Sequence, residues 1–290
     1  IDKCVGRVRD LRTKCERETI LSTCGIGHTR WATHGGVLKK NAHPHRYGKV
    51  TIVHNGIVEN YRQLIEDYEL QEQLVSETDT EVVAALLDHY YHGDAEKAIQ
   101  KVAGKLKGTY ALVMMFVDQP GVIYAIRNVS PIVAAECEEG MMLASDLTAL
   151  GQFTKQYFVM PEKAVLKMEA NQMTLVGFDG NVMEPEFLTL DWEMQSLGKN
   201  GYPFYMEKEI MEQPNAFYET IKNRIVNGLP DLTGDNVPDS VLTDCKRICI
   251  VACGTAMHVG LITQALVKSV LQMHIDVELA SEYMYSDPVI

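Results

Sequence analysis

The sequence has no CxxC pair, no internal repeat and no low-complexity tract. Its seven cysteines (Cys4, Cys15, Cys24, Cys137, Cys245, Cys249 and Cys253) are odd in number and irregularly spaced. An odd count at irregular spacing disfavours both a disulfide framework and a structural zinc site, and free thiols in a reducing cytoplasm are the simplest reading. Cys253 is expected to be a buried loop residue, as free cysteines often are. Positive charge is also short: 27 Lys and Arg stand against 39 Asp and Glu, a net charge of −12. Non-specific nucleic-acid binding needs cationic surface, so that class is disfavoured. Only one long stretch, 248–267, lacks charge, and it contains Gly254, Thr255, His258 and Gln264. It reads as a buried strand, a glycine turn and a helix, not as a membrane span. Hydrophobic residues at 46% and charged residues at 23% exclude a disordered chain.

The 290 residues are enough for about two domains. Charge is uneven: residues 1–50 hold eleven Lys and Arg against four Asp and Glu, and residues 51–100 hold two against eleven. Complementary surfaces within one fold explain this. Val50–His54 is an apolar run that ends at Asn55-Gly56, a turn signal. Helical spacing follows over 57–69, through Ile57, Tyr61, Leu64 and Ile65. A second helix is expected over 80–91, with Thr78 and Glu81 in a capping-box pattern, and a third over 94–106. Seven short β-rich runs then follow between Tyr110 and Val176. Helices followed by a meander predict a layered α+β domain ending near residue 190. Residues 191–240 read as a linker containing a helix over 206–226, interrupted near Pro214. From residue 241 the order strand, loop, helix, strand is the opening of a parallel α/β unit.

Four short motifs could carry chemistry. In GHTRWATHG at 27–35, the Arg30 guanidinium can hold a carboxylate with two parallel hydrogen bonds; equally, Arg30 beside Trp31 suits a structural cation–π pair. In HNG at 54–56, the Asn55 amide and the Gly56 backbone N–H can aim two donors at one point, as an oxyanion hole requires, or form an ordinary turn. In SETDTE at 76–81, Asp79 can cap a helix or pair with an ammonium group. In CGTA at 253–256, a loop before a helix offers backbone N–H groups to an anion. Each is weak alone.

Together, their order and spacing resemble the glutamine–fructose-6-phosphate aminotransferase (isomerizing) family. GIGHTRWATHG at 25–35, NAHPH at 41–45, VHNGIVEN at 53–60, SETDTE at 76–81, KGTYAL at 107–112 and ASDLTAL at 144–150 resemble its glutaminase domain. YMEKEIMEQP at 205–214 resembles its interdomain segment, and ACGTA at 252–256 and ELASEY at 278–283 the opening of its sugar isomerase domain. The resemblance implies an α+β layered sandwich of the N-terminal-nucleophile (class II amidotransferase) type over 1–190, a linker over 191–240, and the first part of a sugar isomerase (SIS) domain over 241–290. It implies that Arg30 grips the glutamine α-carboxylate and Asp79 its α-ammonium. Asn55 and Gly56 form the oxyanion hole; Trp31, Thr33 and His34 line the loop over the substrate; Gly254 and Thr255 belong to a sugar-phosphate loop. The substrates implied are glutamine and fructose 6-phosphate, with no metal or organic cofactor, in a cytoplasmic homo-oligomer.

The family's nucleophile is an N-terminal Cys, whereas residue 1 here is Ile, and none of the seven cysteines substitutes. Ala256 stands where the family usually has Ser. A piece truncated at both ends, inactive as given, is therefore expected. The alternatives are a non-catalytic protein that binds glutamine or a sugar phosphate, and a class II amidotransferase with another acceptor.

Overall fold

A computed structural model describes residues 1–17, 22–32, 34–190, 198–283 and 285–286, with the backbone alone at Leu242. Thr33 and the linker stretch 191–197 lie outside the described residues. The chain divides into two compact units, Ile1–Gly198 and Lys199–Ile290.

The first unit opens with helix α1 (Val8–Glu16) and strands β1 (His45–Tyr47) and β2 (Val50–Val58). Helices α2 (Tyr61–Asp67), α3 (Asp79–Tyr90) and α4 (Ala95–Ala103) follow. Then come β3 (Gly108–Phe116), β4 (Ile123–Asn128), β5 (Val133–Cys137), β6 (Gly140–Ala144) and α5 (Leu147–Leu150). The unit finishes with β7 (Gln156–Val159), β8 (Ala164–Glu169), β9 (Gln172–Gly177), β10 (Val182–Met183) and β11 (Leu188–Thr189). Two antiparallel sheets result, in the orders β1-β2-β3-β4-β8-β9-β10 and β11-β7-β5-β6.

Side chains alternate across a strand, and here each face of the large sheet meets a different layer. Leu112, Met114, Tyr124 and Ile126 join Val82, Val83, Leu86 and Ile99 in a core under the helices. Ala111, Val113, Ile123 and Ala125 point the other way, onto Ala134, Phe158 and Leu166 in a core between the sheets. Leu150 of α5 closes the far side on Val133 and Ala135. Full burial of a side chain such as Leu112 contributes about 1.5–3 kcal/mol. The first unit is thus a mixed α/β sheet sandwich. The acidic and basic segments meet at the Lys40–Glu77 ion pair, 2.8 Å long.

The seven expected strand runs all form. Half of the predicted capping box forms: Thr78 Oγ1 accepts the Glu81 backbone N–H at 3.4 Å, but the Glu81 carboxylate accepts from the Val75 and Ser76 backbone N–H groups, not from that of Thr78. The turn expected at Asn55-Gly56 does not form. β2 continues through both residues to Val58, paired with β3 at Asn55↔Ala111 and Gly56↔Tyr110. The helix expected from 57 therefore starts only at Tyr61, because pairing with β3 holds Ile57 and Val58 extended.

The second unit contains α6 (Tyr205–Ile221), a hairpin of β12 (Ile225–Val226) and β13 (Leu229–Pro230), and α7 (Asp239–Thr243). β14 (Arg247–Ala252), α8 (Gly254–Leu271), β15 (His274–Leu279) and α9 (Ala280–Tyr283) complete it. α6 runs unbroken through Pro214: the proline removes one backbone hydrogen bond, and on this exposed helix the freed carbonyl can face solvent. β14 and β15 pair in parallel with α8 between them, as the sequence order predicts. β14 is not buried, however; exposed and half-buried residues alternate, because α8 packs on one face of a two-stranded sheet. Cys253 is likewise exposed, not buried, since it sits at the end of that open strand. Among the described residues, no helix is long and apolar enough to cross a membrane.

Candidate active site

β2 passes beneath the first turn of α3, and loop residues 28–32 and 34–36 fold against both. Between them lies a cavity of about 320 Å³. Arg30, Trp31, His34, Asn55, Gly56 and Asp79 all line it. Six residues drawn from three separated motifs therefore converge on one space. Gly254 and Thr255 belong to the second unit, where both are exposed at the start of α8.

Gly56 has φ +136°, and a Cβ built on it would sit 2.1 Å from the Thr109 carbonyl oxygen. Only glycine lets β2 approach β3 this closely. Asn55 is exposed, and its side-chain amide makes no hydrogen bond among the described residues, so it is available to a ligand. Asp79 is buried, and its Oδ2 accepts the Val58 backbone N–H at 2.8 Å. The Arg30 guanidinium donates to the carbonyls of Gly36 at 3.0 Å, Gly35 at 3.1 Å and His34. It ties its own loop, so gripping a carboxylate would mean exchanging carbonyl partners. No Arg30–Trp31 cation–π pair forms among the described residues, and Trp31 is 90% exposed. Glu77 anchors the same loop by accepting from the Gly36 N–H at 3.3 Å and from Asn41 Nδ2 at 3.0 Å. Those bonds and the Lys40 ammonium hold its carboxyl down at about 2, Lys40 having the largest effect.

A second cavity, of about 550 Å³, lies between the two sheets and shares His28 and Asn55 with the first. Among the described residues, no group of three or more His, Cys, Asp or Glu is arranged to hold a metal ion.

The sequence profile of the glutamine amidotransferase domain matches residues 28–152. A Clostridium acetobutylicum protein named glutamine–fructose-6-phosphate aminotransferase (isomerizing) is 36% identical over 298 residues, covering 100% of this chain and 48% of that protein. Along its whole length the chain is thus similar to about half of a protein that carries this name. A Streptomyces coelicolor relative of the same name is 40% identical over 272 residues, covering 92% of this chain and 44% of its own. The chain spans about half the length of the curated relatives it matches. Among solved structures, a glutamine phosphoribosylpyrophosphate amidotransferase from B. subtilis matches with a TM-score of 0.47 and 15% identity over 86% of this chain and 50% of its own.

The motifs left several lining residues unassigned: His28, His43, His54, Thr80 and Thr109. His43 and His54 stand inside NAHPH and VHNGIVEN, but nothing local marks them as neighbours. His43 stacks on His28 at 4.3 Å between ring centroids and accepts the His54 backbone N–H at 3.2 Å. Burial, assisted by neighbouring positive charge, pushes His28 and His45 down to about 4 and His43 to about 2. His28, His43 and His45 are therefore neutral near pH 7.

Proposed function

We propose that the first unit is the glutamine-binding domain of an enzyme that makes glucosamine 6-phosphate and glutamate from fructose 6-phosphate and glutamine. The observation that carries this reading is the convergence of Arg30, Asn55, Gly56 and Asp79 on one cavity, in a chain 36% identical along its whole length to a named aminotransferase. In this reading Arg30 binds the α-carboxylate and Asp79 the α-ammonium. The Asn55 amide and the Gly56 N–H polarise the side-chain carbonyl and stabilise the oxyanion formed when a thiolate attacks it. Trp31, Thr33 and His34 cover the substrate. In this reading the lining residues of this chain bind and polarise the substrate. The attack forms a C–S bond and expels ammonia; water then cleaves the thioester to glutamate. Ammonia and fructose 6-phosphate give the amino sugar and water.

The domain assignment follows the same reading. Residues 1–190 form an N-terminal-nucleophile type amidotransferase domain, 191–240 a connecting segment, and 241–290 the start of a sugar isomerase domain. In that last part the parallel β14–α8–β15 unit supports a phosphate loop at Gly254 and Thr255. The N-cap of α8, Cys253, makes no side-chain cap hydrogen bond, leaving first-turn N–H groups for an anion. Seven free thiols suit the cytoplasm. A homo-oligomer is the assembly the resemblance implies.

A chain of the relatives' full length carrying this sequence is expected to form glucosamine 6-phosphate from glutamine and fructose 6-phosphate. Asn55→Ala should lower its glutaminase rate by about 100-fold or more. An unchanged rate would remove Asn55 from the site, and absence of amino sugar in the unsubstituted protein would overturn the reading.

A further inference from the structure

Alternation along β2 turns Val50, Ile52 and His54 toward the helices while Val53 faces the other sheet. His54 is thus a polar side chain in an otherwise apolar stripe, and it is 1% exposed. Burying a polar ring without partners is costly, so its contacts are informative. His54 Nδ1 lies 3.1 Å from Thr80 Oγ1 and 3.7 Å from Asp79 Oδ2. Thr80 Oγ1 in turn lies 3.5 Å from Asp79 Oδ1.

The Thr80 hydroxyl donates to Asp79 Oδ1 and shares a second hydrogen bond with His54 Nδ1, whose donor is set by the tautomer of the ring. Val58 of the same strand donates its N–H to Asp79 Oδ2. One strand therefore holds the Asp79 carboxylate at two points, His54 through Thr80 and Val58 directly. Asn55 is the residue after His54, so the spacing between Asn55 and Asp79 is set by the same strand.

We propose that His54 and Thr80 are positioning residues, which orient the Asp79 carboxylate toward the α-ammonium of the bound amino acid. The proposal rests on the glutamine reading above. It adds a specificity device: the pair acts on recognition of the ammonium and leaves recognition of the amide to Asn55 and Gly56. Burial depresses the His54 pKa despite the nearby carboxylate of Asp79. The ring therefore stays neutral and does not compete with the ligand for the charge of Asp79.

The test uses two ligands that differ only at the α-carbon: L-glutamine and glutaramate, which keeps the carboxylate and the amide but lacks the ammonium. Dissociation constants are measured by calorimetry for the 290-residue chain. The unsubstituted chain should prefer L-glutamine. Thr80→Val, nearly isosteric, and His54→Leu should reduce that preference by about ten- to hundredfold, as loss of one charge-linked hydrogen bond does, with glutaramate binding unchanged. Thr80→Ser and His54→Asn, which keep a polar atom in place, should restore it. The positioning role is overturned if Thr80→Val and His54→Leu keep the full preference, or if they weaken both ligands equally. If the unsubstituted chain binds neither ligand, the glutamine reading itself fails.

Discussion

Gly56 shows how one residue sets the geometry of the cavity. Its φ of +136° lies where side chains are strained, and the Thr109 carbonyl occupies the space a Cβ would need. Gly56→Ala is expected to destabilise the fold by about 2 kcal/mol or more, read as a fall of several degrees in thermal midpoint. An unchanged midpoint would mean that β2 and β3 do not pack this closely. The motif letters made Arg30, Asn55, Gly56 and Asp79 legible as candidates because each carries chemistry in its own side chain or backbone. His54 and Thr80 were not legible in that role. They are 26 positions apart, and only the packing of α3 on β2 brings them to 3.1 Å. The carbonyl partners of Arg30 were equally hidden, since they depend on how the loop over 34–36 curls.

At the scale of elements, alternation and turn residues were enough to locate the seven strand runs and the helices α3 and α4. Pairing with β3 carried β2 beyond Asn55-Gly56, where local turn chemistry called for a stop. α1 went unread because it buries no residue, so its apolar positions form no core-facing stripe. The contact of β1, β2 and α3 also has a pH signature. His28, His43 and His45 titrate well below 6.5 in the fold, mainly through burial. Below pH 6.5 the unfolded chain takes up protons that the folded chain refuses, so their contribution to stability falls as pH falls. For His28 and His45 the loss runs from about 6.5 to about 4. The thermal midpoint should therefore drop between pH 7.5 and pH 5, and by less in a His45→Asn variant. A variant with an equal or larger drop would contradict the assignment of the neutral ring.

At the scale of the molecule, the chain comprises a mixed α/β sandwich, which carries the cavity, and a second unit holding a parallel β14–α8–β15 element. The central claim is that the cavity lined by residues 28–31, His34, β2 and α3 binds glutamine. L-glutamine titrated into the isotopically labelled chain tests it most directly, with backbone amide resonances followed by NMR. Saturable shifts should concentrate at Arg30, His34, Asn55, Gly56 and Asp79, and Asp79→Asn should abolish them. Shifts confined to residues away from this cavity, or none at millimolar glutamine, would contradict the account.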